Sequence, residues 1–348
     1  MLARSPKIDL VQNRKDIEKK MMNIPLTIQP LDIRRDLDGL GELMTIAFAD
    51  SAATSGNDFL AEVRALKKLV PVIIFLRSAS KAFRHRLDGF VIKEQGKMIS
   101  MVIIKQLGAE SKNWEIGNVA THPEYRHHGL ARKLVAHAIE HARSHGAEIC
   151  LLEVRAENTP AYQLYRNLGF AHYDSTTVLK LENTPAAQFL QAANVTIRPM
   201  GHSEWEPRYE LACIETPQEV QSFLPVSAAQ YQVSALEKLI EPLLRFFQKT
   251  DQFHWAFEID GKLAGTLYLA AKRTQTKGFH SITIRVLQPY HSILTEPMLT
   301  IALQTLQSYP SKNTLTQIRT SYTDQIDTFK KYGFTEIGVT HRLGLRFE

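Results

Sequence analysis

The sequence predicts an α/β protein with a mixed sheet, built as two tandem copies of one domain. Segments with the two-residue periodicity of strands alternate with segments of helical periodicity. The strand-like LTIQPL (26–31) resembles VTIRPM (195–200), and YRNLGF (165–170) resembles FKKYGF (329–334). The two pairs have nearly equal separations, 169 and 164 residues. A chain of 348 residues also exceeds the usual size of one domain, so we interpret the repeat as a duplicated fold.

The repeat divides the chain into four predicted segments. They are a polar extension at 1–23, a first domain at 24–182, a linker at 183–194 and a second, altered copy at 195–348. The extension is rich in charges and has no sustained apolar stripe, so it is expected to be mobile and not to act as a secretory signal.

The early elements of the first copy follow from periodicity and turns. After a strand at 26–31, apolar positions at helical spacing predict a helix at 37–48. Two alternating runs around a Glu-Gln-Gly turn predict an antiparallel pair of strands within 88–107. A further strand is predicted at 114–120. The segment 49–81 is expected to be variable, and Pro71 interrupts its apolar run LVPVIIFL (69–76).

Two helices and the remaining strands complete the first copy. One helix starts at Leu130 and ends at Gly146, which suits a left-handed cap. The other starts with Thr159 as its predicted cap and Pro160 in its first turn, and it ends at Gly169. A buried strand is predicted at 148–154, and final strands are predicted within 168–182.

Hydropathy, cysteine content and charge argue against a membrane protein, a disulfide-bonded protein and a nucleic-acid-binding protein. No apolar run approaches the ~20 residues of a membrane helix, so no membrane partner and a cytoplasmic location are expected. Cys150 lies in an apolar run and Cys213 in the other copy, which favours reduced thiols over a disulfide. The net charge of +6 is dispersed, which argues against a nucleic-acid partner and suits a small polyanionic ligand. The sequence leaves the oligomeric state open.

The segment RHHGLA (126–131) predicts an anion site. It lies between a predicted strand and the start of an amphipathic helix. Gly129 and Ala131 keep bulky side chains away, so an anion such as a pyrophosphate can approach the backbone amides at the helix N-terminus.

In this context the sequence resembles the GNAT (Gcn5-related) N-acetyltransferase superfamily. The strand ending in VATHPEYR, the turn RHHGLA and the later NTPAYQLYRNLGF follow the superfamily pattern, in which the turn reads Arg or Gln, two residues, Gly, one residue, Gly or Ala. The resemblance spans 24–182 and implies acetyl-CoA as co-substrate, with no metal. It also implies that strand backbone pairs with the pantetheine arm and that amides of the turn bind the pyrophosphate, aided by an arginine. The implied residues are Val119, Ala120 and Thr121 for the arm, His127, His128, Gly129, Leu130 and Ala131 for the pyrophosphate, and Arg126 or Arg132 for its charge.

The resemblance also implies catalytic residues, each with a structural alternative. Tyr165 would lie near the thioester sulfur and act as the general acid, or it only packs in the core. Asn158 would hydrogen-bond the cofactor, or it only starts a helix. Glu115 stands eleven residues before Arg126, where histone-acetylating members place a catalytic glutamate, or it is an outward-facing acid on a strand.

Three histidines recur every fourth residue along the predicted helix. They are His137, His141 and His145. Such a stripe binds zinc when further ligands converge on it. With no cysteine nearby, the stripe is interpreted as a solvated helix edge, and no metal is expected.

The second copy has lost the features of a cofactor site. Alignment on a shared proline puts Ser292 at Arg126, Thr295 at Gly129 and Pro297 at Ala131, and Phe329 aligns with Tyr165. We therefore predict an N-acetyltransferase with one active copy, which transfers acetyl from acetyl-CoA to a small-molecule or peptide primary amine by direct attack. The alternative is a non-catalytic acyl-CoA-binding sensor or scaffold.

Overall fold

The fold of the chain is given by a computed structural model that describes residues 27–49, 59–79, 85, 88–108, 111–201, 203–232, 249–274 and 278–348. The predicted extension at 1–23 lies outside these residues. Contacts divide the chain into two compact units, Met1–Leu152 with Arg346–Glu348, and Glu153–Leu345. The division follows Leu152, whereas the two sequence copies were predicted to meet at 183–194.

The N-terminal unit contains a mixed sheet in the order β1-β2-β3-β4-β5. Neighbouring strands are antiparallel except β4 and β5, which are parallel. The strands are β1 (Ile28–Pro30), β2 (Asp88–Glu94), β3 (Lys97–Gln106), β4 (Asn113–Thr121) and β5 (Ile149–Arg155). The helices are α1 (Leu37–Ala47), α2 (Phe59–Ala79) and α3 (Leu130–Ser144). A core of Leu37, Leu43, Val91, Met101 and Ala120 joins α1 to the sheet.

Most predicted elements of this unit are confirmed, and α2 is the exception. The predicted hairpin turn has positive φ at Gln95 (50°) and Gly96 (83°), and Gly146 (φ 78°) follows the end of α3. The helix α2 continues through Pro71, which the sequence analysis treated as an interruption. Its earlier turns pack closely on α1, since a Cβ on Gly41 would lie 3.1 Å from Val63. This tertiary contact stabilises a helix that proline alone would weaken.

The C-terminal unit repeats the same pairing pattern in β7 to β11. Strands β7, β8, β9 and β10 are antiparallel neighbours, and β10 and β11 are parallel. The helices of this unit are α4 (Thr159–Arg166), α5 (Trp205–Glu215), α6 (Gln218–Phe223), α7 (His291–Leu306) and α8 (Thr323–Lys331). The strands are β6 (Ala171–Leu181), β7 (Val195–Pro199), β8 (Thr250–Ile259), β9 (Lys262–Lys272), β10 (His280–Val286), β11 (Thr314–Arg319) and β12 (Thr335–Arg346). The element order from β7 to β12 matches that from β1 to β6, as the repeat predicts.

Strand β6, the last strand of the first sequence copy, lies between β11 and β12 and is antiparallel to both. Its Thr176 pairs with Arg319 on one side and with Thr340 on the other. The expectation of more than one strand within 168–182 was wrong. Pairing with β12 from Ala171 to Lys180 and with β11 from Thr176 to Leu181 keeps the segment extended over its whole length.

Candidate functional site

The predicted anion turn forms a short loop in front of α3. A single 3-10 turn at Pro123–Tyr125 precedes it, and α3 begins at Leu130. The backbone is left-handed at His127 (φ 67°) and Gly129 (φ 74°). A Cβ added to Gly129 would meet no atom within 4 Å. The loop therefore leaves an open cradle at the N-terminus of a fifteen-residue helix, where the amides of the first turn have no intrahelical acceptor.

Charge and anchoring at this loop favour an anion. Arg126 and Arg132 are both exposed. The Arg126 guanidinium donates at the limit of hydrogen-bond length to the carbonyls of Thr121 (3.4 Å) and Ala47 (3.5 Å). Two cationic side chains and the positive end of the helix dipole thus flank the cradle. The residues present fit a pyrophosphate.

Tyr125 and His122 lie next to the loop, and neither was predicted as a site residue. The Tyr125 hydroxyl donates to the Glu94 carboxylate on β2, and this bond ties the 3-10 turn to the sheet. Burial and this bond raise the pKa of Tyr125 to about 12. His122 follows β4 with Nδ1 buried, and that atom has no hydrogen-bond partner among the described residues. No spacing in the sequence connects Tyr125 to Glu94, so only the fold reveals the pair.

The open edge of β4 lies beside the loop. Strand β4 pairs with β5 only from Asn113 opposite Ile149 to Ile116 opposite Leu152. The predicted Val119, Ala120 and Thr121 lie beyond this paired section. The Ser100 hydroxyl donates to the Ala120 carbonyl (3.0 Å) and lies 2.8 Å from Thr121 Oγ1, so β3 holds this end of β4. One backbone edge of the segment is left for an extended ligand to pair as an added strand.

Glu115 occupies the earlier, doubly paired part of β4. It lies opposite Lys105 on β3 and Leu151 on β5. Lys105 Nζ is 2.9 Å from Glu115 Oε1, and the Glu115 side chain is 35% exposed. The structure thus places this predicted base before the point where β4 and β5 separate, in a partly exposed ion pair.

Asn158 and Tyr165 lie on α4 in the C-terminal unit. Asn158, not the predicted Thr159, is the N-cap, because its side-chain oxygen accepts the Ala161 amide (3.2 Å). Asparagine Oδ1 suits this role as well as a threonine hydroxyl does. The Asn158 amide group retains its N–H donors and is exposed. Asn158 therefore has the structural role foreseen as its alternative and keeps donors for a ligand.

Tyr165 and Phe329 occupy matching positions in the two copies. Tyr165 is buried and its ring lies 6.1 Å from that of Phe170, whereas Phe329 is fully buried with its ring 5.0 Å from that of Phe334. In each copy the second aromatic residue donates its amide to the carbonyl of the first. The sites thus share one packing motif and differ by a hydroxyl. Burial raises the pKa of Tyr165 to about 12.

The second copy lacks the cradle. Its 3-10 turn at Gln288–Tyr290 leads directly into α7, which begins at His291. The His291 side chain is 4% exposed, and its Nε2 donates to the Val286 carbonyl (3.1 Å). Thr295 and Pro297, which align with loop residues of the first copy, are buried inside the helix. None of residues 287–297 has a left-handed backbone, so helix occupies the place that the loop RHHGLA has in the first copy.

The second copy keeps a cleft where β10 and β11 separate, although its walls are ion-paired. The cavity has a volume of about 370 Å³. In its wall, Glu215 accepts from Arg285 (3.1 Å) and from the Tyr322 hydroxyl (3.2 Å), and Arg319 Nε lies 3.7 Å from the same carboxylate. These partners already satisfy Glu215, which is 7% exposed. Side chains, rather than an open loop, define this cleft.

Solved structures with the same architecture include two acetyltransferase-type proteins. A tandem GNAT protein from the clavulanic acid biosynthesis pathway superposes with a TM-score of 0.60 at 16% identity, covering 92% of this chain and 98% of that one. A GCN5-related N-acetyltransferase from Sphaerobacter thermophilus superposes with a TM-score of 0.62 at 13% identity, covering 93% and 97%. At these identities the likeness concerns the fold.

Sequence comparison adds the family. The model of the acetyltransferase (GNAT) family matches residues 62–170, the segment that contains the cradle, β4 and α4. Residues 62–170 thus form a GNAT-family domain. The resemblance stated from RHHGLA and its surroundings is confirmed, as is the tandem GNAT arrangement of the fold.

Curated GNAT relatives match the chain in part. The [ribosomal protein bS18]-alanine N-acetyltransferase of Escherichia coli K12 is 36% identical over 86 residues, which are 25% of this chain and 56% of that protein. The mycothiol acetyltransferase of Streptomyces bingchenggensis is 30% identical over 95 residues, 27% of this chain and 31% of that protein. The chain thus spans about half the length of the first of these relatives and less of the second.

Two other expectations can be compared with the structure. The described helices include none with the length and apolar character of a membrane span. Cys150 and Cys213 are free thiols, and burial raises the pKa of Cys150 to about 12. Cys150 is buried, as its apolar run predicts.

Proposed function

We propose that this GNAT protein is an acetyl-CoA-dependent N-acetyltransferase that binds its acetyl donor through the first copy. The cradle at Gly129 carries the proposal. It combines a left-handed backbone, open space and unpaired helix amides in the first copy, and helix replaces it in the second. A chain under pressure only to fold would have no need to keep this strained loop open in one copy.

In the proposed reaction, acetyl-CoA supplies an acyl group activated as a thioester, and a primary amine attacks it directly. The loop amides from His127 to Ala131 hold the pyrophosphate, with Arg126 or Arg132 balancing its charge. The free edge of β4 at Val119 to Thr121 orients the extended arm. Fixing both ends of the donor limits its motion before attack, which is how binding groups of this kind lower a barrier.

Tyr165 is the proposed hydrogen-bond donor to the departing sulfur. With a pKa of about 12, its phenol is protonated throughout the neutral range. The pKa of an ordinary thiol is near 8.5, so hydrogen bonding to the developing thiolate is favoured over complete proton transfer. Asn158 keeps free N–H donors for the cofactor beside its capping role. Glu115 stays a predicted base, and its ion pair with Lys105 weighs against that role.

The proposed acceptor is a primary amine. The bS18-alanine acetyltransferase is named for acetylation at an alanine of a ribosomal protein, and the mycothiol acetyltransferase for a small thiol compound. A test panel therefore contains peptides with an N-terminal alanine alongside small primary amines.

The decisive experiment is CoA release from acetyl-CoA across this panel, with wild type, Tyr165→Phe and Tyr162→Phe. Tyr162 lies on the same helix with its ring 5.4 Å from that of His341, so its variant controls for the loss of a hydroxyl from α4. We expect Tyr165→Phe to lower kcat by about 100-fold or more and Tyr162→Phe to leave it near wild type. Binding of acetyl-CoA without CoA release for any amine would instead support a sensor and overturn the catalytic proposal.

A further inference from the structure

The histidine stripe on α3 meets two further ligand-type side chains in the N-terminal unit. His85, in the turn before β2, and Asp88, the first residue of β2, lie against His141. One ligand atom from each of the three side chains lies within 4.8 Å of the other two. The Asp88 Oδ2 atom is 2.6 Å from His85 Nδ1 and 3.7 Å from His141 Nε2. We call these three residues the His-Asp-His cluster.

The prediction that the stripe is a solvated edge fails at His141. His137 and His145 are exposed, but the His141 side chain is only 21% exposed. Its Nε2 atom is buried and has no hydrogen-bond partner among the described residues. A buried nitrogen without a partner is unfavourable, and ligation of a cation would satisfy it.

Neighbouring groups hold the cluster in place. The His85 carbonyl accepts the Gln106 amide (2.9 Å), which anchors the turn to the end of β3. The rings of His85 and His141 lie 5.4 and 5.7 Å from the Trp114 ring. His145 Nδ1 donates to the His141 carbonyl (2.7 Å). The ligand-type atoms therefore converge from a turn, a strand and a helix that are each fixed by separate contacts.

We propose that the His-Asp-His cluster binds one divalent transition-metal ion of the zinc type. Tetrahedral zinc with bonds of 2.0 to 2.1 Å places its ligand atoms about 3.3 Å apart. The observed separations of 2.6 and 3.7 Å bracket this value, and all three ligand atoms lie within 4.8 Å of one another, so rotation of the side chains brings them to ligand distance of one ion. Two imidazoles and one carboxylate suit zinc and its neighbours, whereas magnesium and calcium prefer all-oxygen ligands.

The position of the cluster assigns the ion a structural role. His141 lies eleven residues after the start of α3, about 16 Å along the helix from the cradle. An ion there is remote from the pyrophosphate loop. It would instead fasten the C-terminal part of α3 to the turn that enters β2, so its binding is measured independently of acetyl transfer.

The test titrates Zn²⁺ and Co²⁺ into full-length, tag-free protein after chelator treatment. Calorimetry and thermal unfolding measure Zn²⁺ binding, and visible absorption reports the coordination of Co²⁺. We expect one equivalent of Zn²⁺ to bind and raise the Tm, EDTA to reverse the shift, and Co²⁺ to show an intense tetrahedral-type band. His141→Asn and Asp88→Asn should each weaken binding at least tenfold. His137→Asn, one turn earlier on the exposed edge of α3, should bind as wild type does.

Two results would overturn the metal site. One is the lack of stoichiometric Zn²⁺ binding by wild-type protein. The other is equal affinity in wild type, His141→Asn and Asp88→Asn, which would assign the binding to scattered surface histidines. Asp88→Asn keeps a side-chain oxygen that can accept a hydrogen bond from His85, so this variant removes the negative charge and keeps that contact.

Discussion

Replacement of Gly129 by alanine separates backbone strain from ligand binding, because the chain provides a matched control. Gly146 lies at the opposite end of the same helix with nearly the same backbone, φ 78° against 74° for Gly129. A Cβ at either position meets no atom within 4 Å. A left-handed alanine costs about 1 to 2 kcal/mol. Both variants should therefore lose about the same free energy of unfolding.

Only Gly129→Ala should weaken CoA binding. Its methyl group enters the space through which a pyrophosphate approaches the amides, while that of Gly146→Ala enters solvent. We expect Kd for CoA to rise at least tenfold in Gly129→Ala, a loss of about 1.4 kcal/mol. At a CoA concentration 100 times the wild-type Kd, ligand stabilisation should then fall from about 2.7 to about 1.4 kcal/mol.

The assay combines urea denaturation without ligand and thermal unfolding with CoA for the three proteins. Equal CoA affinity in wild type and Gly129→Ala would refute the assigned phosphate cradle. Equal loss in Gly129→Ala and Gly146→Ala would show that strain at either end of the helix, rather than occupation of the cradle, controls binding.

Three further predictions concern Glu115, the second copy and the Cys150 thiol. Glu115→Gln should change kcat by less than about threefold in the CoA-release assay, because its carboxylate is already ion-paired; a loss near 100-fold would restore it as the base. Phe329→Tyr buries a hydroxyl, so it should lower the free energy of unfolding by about 1 to 3 kcal/mol in urea denaturation. Added to Tyr165→Phe, it should not restore CoA release. Restored release in the double variant would contradict a silent second copy. Burial raises the pKa of Cys150 from 9.0 to about 12, so thiolate formation favours the unfolded chain, and the free energy of unfolding should be about 1.4 kcal/mol lower at pH 10 than at neutral pH. Cys150→Ala should reduce this alkaline slope and Cys213→Ala should not; equal slopes in both variants would contradict it.

Periodicity and turn residues correctly predicted those helices and hairpins whose structure depends on residues close in sequence. Helical periodicity and Gly146 gave the correct limits of α3, and the Gln95–Gly96 turn marked the β2–β3 hairpin. The duplicated fold was also visible, because its cues recur at a nearly constant separation. At α4, two adjacent residues could serve as the cap, and periodicity cannot choose between Asn158 and Thr159.

Sequence patterns did not predict contacts between residues that are distant in sequence. The helical spacing of His137, His141 and His145 shows which residues share an edge, but not that His85 and Asp88 bring ligand-type atoms close to His141. In the same way, no pattern predicted that Tyr125 bonds Glu94, or that α2 persists through Pro71. Each of these features depends on how the strands and helices come together.

The pairing of β6 with two strands of the second copy makes the second copy structurally necessary, whatever its chemistry. Hydrogen bonds to β11 and β12 occupy both edges of β6, although its residues belong to the first copy. Loss of the segment that encodes β11 and β12 would expose both edges of this strand, a hazard for aggregation. Point mutations that alter the chemistry of the second copy leave this pairing intact, whereas deletion of the copy would remove both partners of β6. The two copies can therefore differ in chemistry, while the last strand of the first copy depends on the second copy for its hydrogen-bond partners.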